Sequence, residues 1–143
     1  MCIVVYVASD YPLPTIAWDQ NKPAFHVSEL TERDQPVRQQ FSKPLVYKAG
    51  SHQGCGCGFQ YGEYEEYGED ANELAAAKDS RRRLVDFLCV ALQHQSAVEL
   101  FACWGGDEGK PPEHRERLRP ENLLKDRTFF HEKELLVISW KDG

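Results

Sequence analysis

Residues Ser51 to Phe59 read Ser-His-Gln-Gly-Cys-Gly-Cys-Gly-Phe, which places two thiols, one imidazole and three glycines within nine positions. Cysteine supplies a soft thiolate ligand or a redox sulfur, and glycine allows the tight backbone that gathers such groups. His52, Cys55 and Cys57 form the pattern H-x-x-C-x-C. In an extended strand Cys55 and Cys57 would share a face but stand about 6.5–7 Å apart. A turn through Gly54, Gly56 and Gly58 is needed for them to grip one ion. Zinc suits this donor set, and a tetrahedral site takes a fourth ligand or leaves that position open. Cys103 and Cys2, at the ends of predicted strands, are the thiols that could complete it.

Three other roles compete for the same residues. Cys-Gly-Cys can close into a strained and comparatively oxidising disulfide. The carboxylates that follow, Glu63, Glu65, Glu66, Glu69 and Asp70, raise a nearby thiol pKa and oppose an activated thiolate. A nucleophilic cysteine would need His52, His94, His114 or His131 as its base, yet no elbow motif surrounds Cys55 or Cys57. Packing alone also accounts for the segment, since cysteine behaves as a small buried hydrophobe and glycine permits close approach.

Directly after the cluster, Tyr61, Tyr64 and Tyr67 recur every third residue among Glu63, Glu65, Glu66, Glu69 and Asp70. Tyrosine anchors interfaces at low entropic cost, and the carboxylates make a negative field suited to a basic protein or a metal cation. The same carboxylates also favour the N-terminus of a following helix. Trp104 ends an apolar run beside a Gly-Gly-Asp-Glu-Gly turn, where a partner surface or the edge of the core is expected. Arg81-Arg82-Arg83 is expected to spread around a helix, and Arg115, Arg117 and Arg119 alternate with acids as solvated loop charge.

The remaining composition excludes several classes. A formal net charge of −6 opposes non-specific nucleic-acid binding and attachment to an anionic membrane. The glycines match neither a P-loop nor a dinucleotide fingerprint, so nucleotide binding is not expected. The apolar start, Cys2 to Ala8, is shorter than the roughly 20 residues of a membrane span and carries no basic leader. Five cysteines without a secretory signal suggest reduced thiols in the cytoplasm.

A single domain must position these residues, because 143 residues with 41% hydrophobic and 28% charged side chains fit one core. Cys2–Ala8, Val98–Trp104 and Glu134–Trp140 read as buried strands, with shorter strands at Phe25–Val27, Leu45–Lys48 and Phe59–Tyr61. Leu74, Ala77, Leu84, Leu88 and Ala91 mark one stripe of a long helix from about Ala71 to His94, capped by Asp70 with Glu73. Thr31–Phe41 and Pro120–Asp126 suggest two shorter helices, and Gly105–Arg119 an exposed loop. The expected fold is an α+β two-layer sandwich over residues 1–143, a mixed or antiparallel sheet of about five strands covered by one long helix. The expected function is ligand or partner binding through the Gly/Cys loop and the Tyr/acidic segment. A metal- or thiol-dependent enzyme using Cys55, Cys57 and His52 is the alternative.

Overall fold

The computed structural model describes residues 2–59, 71–124 and 133–141. Apolar, β-branched segments form a mixed six-stranded sheet in the order β2-β3-β1-β4-β6-β5. The strands are β1 (Ile3–Ser9), β2 (His26–Glu29), β3 (Leu45–Gly50), β4 (Ala97–Trp104), β5 (His114–Leu118) and β6 (Glu134–Ser139). β1 lies at the centre, antiparallel to both β3 and β4. β5 runs parallel to β6 and forms one edge.

Alternation along β1 separates two cores. Val5 and Val7 point to the face packed by Leu84, Leu88 and Ala91 of α1 (Ala71–Ala91). Val4, Tyr6 and Ala8 point to the opposite face, where Val37 and Phe41 cover them. Burying each large aliphatic side chain here stabilises the fold by about 1.5–3 kcal/mol. α1 contains no glycine or proline, and its run of Ala, Leu, Arg and Glu favours helix. At its C-terminal end Gln95 Nε2 donates to the Ala91 carbonyl at 3.1 Å and to Ser9 Oγ at 2.6 Å, which ties the helix to β1.

The α+β sandwich with one long helix agrees with the sequence, and three local features differ. The segment expected as a helix over Thr31–Phe41 is a 3-10 segment, Glu32–Gln40, in which Pro36 lacks the N–H for an α-helical bond. The sixth strand, β5, lies within the expected loop Gly105–Arg119. Its His114, Arg115, Glu116 and Arg117 are all exposed, so neither face carries an apolar signal. Charged residues on such an edge discourage pairing with another sheet. Phe59 ends a short 3-10 turn, Gly56–Phe59, instead of starting a strand. Asp70, and the ends of that expected strand and of the Pro120–Asp126 helix, lie outside the described residues. Among the described residues no helix is long and apolar enough to cross a membrane.

Candidate functional site

The Gly/Cys loop leaves β3 at Gly50 and returns beneath the start of β1 as the 3-10 turn Gly56–Phe59. Two glycines make this approach possible. A Cβ on Gly56 would lie 2.7 Å from Val5 Cγ2 and 3.0 Å from the Ile3 carbonyl, and one on Gly58 would lie 2.2 Å from Ser51 Oγ. Real Cβ atoms do not come that close, so the loop reaches β1 only because Gly56 lacks a side chain, and it closes on its own Ser51 and His52 only because Gly58 does. Ser51 fastens the turn, its Oγ donating to the Cys55 carbonyl at 2.6 Å.

This approach brings Cys55 and Cys57 to Cys2, the residue preceding β1, and the three sulfurs lie within 4.8 Å of one another. Cys2 is exposed and the other two are half-buried. The Ile3 backbone N–H donates to Cys57 Sγ at 3.2 Å. Burial pushes the Cys55 thiol up to about 12, and the adjoining Cys2 and Cys57 thiols add to the shift while the Cys57 backbone N–H opposes it. Burial thus favours the neutral Cys55 thiol. None of the five cysteines forms a disulfide.

The other expected ligands point elsewhere. His52 is buried, and its Nδ1 and backbone N–H both meet Ser80 Oγ at 3.0 Å. Its Nε2 lies 2.9 Å from Glu73 Oε2. The consistent arrangement has Ser80 donating to Nδ1 and Nε2–H donating to the Glu73 carboxylate. Serine, imidazole and carboxylate stand in series, but Ser80 is fully buried on α1 and its oxygen already accepts the His52 backbone N–H. The trio fastens the loop to the helix and offers no accessible nucleophile. Cys103 is buried in the core on the Val4 and Tyr6 face and does not belong to the three-thiol cluster. Trp104 is half-buried at the end of β4, opposite Ile3. Tyr61, Tyr64, Tyr67, Glu65 and Glu66 lie outside the described residues.

A cavity of about 320 Å³ opens beside the thiols, and Cys2, Cys55, Arg33, Asp34, Lys48 and Glu108 contribute to its lining. Asp34 sits at its floor with both oxygens engaged. Oδ1 accepts from the Tyr6 hydroxyl at 2.7 Å, and Oδ2 accepts from the Thr31 N–H at 2.9 Å and its hydroxyl at 2.8 Å. Burial raises the Asp34 pKa, but these hydrogen bonds and the Lys48 charge outweigh it and hold the carboxyl below its ordinary value. Burial and the Asp34 and Glu108 charges push the Tyr6 phenol far above its ordinary range.

Sequence reasoning put Cys103 in the ligand set with His52, Cys55 and Cys57 and named Cys2 only as a thiol within reach; the structure groups Cys2 with Cys55 and Cys57 because β1 pairs with β3. The cavity residues come from five separate segments and carried no common motif. Comparison with protein-family models, curated proteins and solved structures gave no significant match.

Proposed function

We propose that this protein is a metal-binding domain whose ligand is a thiophilic divalent ion, zinc, held by the thiolates of Cys2, Cys55 and Cys57. The observation that carries this reading is the convergence of three sulfurs within 4.8 Å from two segments more than fifty residues apart. Zinc–sulfur bonds of about 2.3 Å in a tetrahedron set sulfur–sulfur separations of about 3.8 Å. The observed separations, none above 4.8 Å, exceed that spacing by about 1 Å at most. N–H donors to metal-binding sulfur, such as Ile3 N–H to Cys57 Sγ, offset thiolate charge and orient the ligand.

Binding, more than catalysis by His52, suits the geometry, because the imidazole is committed to Ser80 and Glu73. The elevated Cys55 pKa also counts against a redox thiolate. A cytoplasmic setting, where thiols stay reduced, agrees with five cysteines outside disulfides.

Metal analysis of protein purified under reducing conditions tests the reading. Near-stoichiometric zinc is expected in the native chain and in Cys89→Ser, and its loss is expected in Cys2→Ser, Cys55→Ser and Cys57→Ser. If zinc added back to the native chain fails to bind at one equivalent, or the combined variant binds it equally well, the reading is wrong.

A further inference from the structure

The three-thiol cluster leaves a tetrahedral ion one ligand short, and among the described residues no further His, Asp or Glu donor joins the cluster. A cavity lined by Cys2 and Cys55 adjoins two of the three thiols. Its 320 Å³ falls within the range of about 300–1,000 Å³ typical of small-ligand pockets.

The charges in this cavity are not equally engaged. Asp34 accepts hydrogen bonds from Tyr6 and Thr31, and Glu108 Oε1 accepts the Gly106 N–H at 2.8 Å. The cations contrast with them. Arg33 is exposed and makes no ion pair among the described residues. Lys48 Nζ forms an ion pair with Asp34 Oδ1 at 3.6 Å, too long for a hydrogen bond, and its side chain is 36% exposed. The cavity therefore offers a ligand the Arg33 guanidinium and the N–H donors of the Lys48 ammonium, which makes no hydrogen bond among the described residues, and together they suit a carboxylate.

We propose that this cavity binds a small organic thiol bearing a carboxylate, its sulfur completing the zinc coordination and its carboxylate pairing with Arg33 and Lys48. The proposal rests on the zinc reading above. A fourth sulfur gives the all-thiolate tetrahedron that zinc commonly adopts. The step is ligand exchange. The thiol proton passes to solvent, the thiolate forms the new sulfur–zinc bond, the zinc–water bond breaks, and no electrons are transferred. Gly54 and Gly105 line the same cavity and leave room at the thiol end.

Cobalt substitution reads the sulfur count directly through the sulfur-to-cobalt charge-transfer band. Adding 3-mercaptopropionate to the cobalt-loaded protein should raise this band from the intensity of three thiolates towards that of four. Propionate should leave the band unchanged, and 2-mercaptoethanol should bind more weakly. The double variant Arg33→Gln, Lys48→Gln should hold cobalt normally yet bind 3-mercaptopropionate about a hundredfold more weakly, the equivalent of losing two charge-assisted hydrogen bonds. Failure of cobalt and zinc to bind at all would remove the metal reading itself. Normal cobalt loading with no added band, equal binding of 2-mercaptoethanol, an indifferent double variant, or stripping of the metal by the probe would overturn the thiol-carboxylate site alone.

Discussion

The Ile3 backbone N–H donates to Cys57 Sγ at 3.2 Å, linking the central strand to a loop 54 residues away. The bond is the point where sheet order becomes site geometry. β1 pairs with β3 from Val5 to Ser9, which leaves its first residues beside the loop that follows β3. Cys2 is thereby carried to the two loop thiols.

Metal binding at this junction should stabilise the fold, because an ion that binds only the native arrangement adds about 2.7 kcal/mol at a concentration one hundred times its Kd. Zinc should raise the thermal midpoint of the native chain, and Cys2→Ser should abolish that rise with little change in the midpoint without zinc. Cys2 is exposed, so its replacement removes little packing. An equal zinc-dependent rise in both proteins would mean that the ion binds elsewhere.

The approach of the loop to β1 depends on absent side chains. Gly58→Ala places a methyl group 2.2 Å from Ser51 Oγ and 2.7 Å from His52 Cε1, both on buried residues. Overpacking of this kind costs about 1–3 kcal/mol. An unfolding free energy, from denaturant titration, that falls by that amount, together with weaker zinc affinity, is the expected result. Unchanged affinity would mean that the thiols assemble without this loop conformation.

Ser80 and His52 give a separate prediction. In Ser80→Ala the His52 backbone N–H loses its acceptor in a buried setting, a loss of about 1–3 kcal/mol. His52→Asn should lower stability as well, yet the folded protein should still take up one equivalent of zinc. Loss of zinc from a His52 variant that retains native circular dichroism would restore the imidazole to the ligand set.

Asp34 sets an acid limit. Its carboxyl is held below the ordinary value, so the folded state takes up that proton less readily than the unfolded chain. The resulting stability is fully present above the unfolded pKa of about 3.9 and is lost as pH falls through the lower folded value. Tyr6→Phe removes one of the bonds responsible and should raise the Asp34 pKa, measurable by carbon-detected NMR titration of the carboxyl. An unmoved Asp34 titration would assign the shift to Thr31 and Lys48 alone.

Much of this fold was legible because buried elements repeat. The spacing of Leu84, Leu88 and Ala91 marks the face of α1 that packs on Val5 and Val7. β4 and β6 are apolar on both faces, and both are central. β5 was not legible, since an edge strand with four exposed polar residues has the same pattern as a loop. The Gly/Cys loop was visible as a location from composition alone. Its third thiol depended on which strands are neighbours, and the Arg33 and Lys48 side of the cavity on how the 3-10 segment folds over the sheet. Neither leaves a local trace.

Arg81 shows where the residue type misled and the spacing did not. As part of a basic triplet it reads as surface charge, and Arg82 and Arg83 do sit on the wet side, paired with Asp79. Position 81 follows Ala77 by four and precedes Leu84 by three, which puts it on the packed stripe, and it is fully buried. Its Nε and Nη2 donate to the Phe59 carbonyl at 3.0 and 2.7 Å, pinning the end of the turn that carries Cys57. Arg81→Met keeps the length of the side chain and removes the donors, and should cost about 1.5–3 kcal/mol. Because Phe59 closes the loop, zinc affinity should fall too, while stoichiometry at saturating metal stays at one. Arg81→Lys restores the charge without the fork and should recover only part of either loss. Full recovery with lysine would mean that charge, and not the paired bond to Phe59, is what holds the loop.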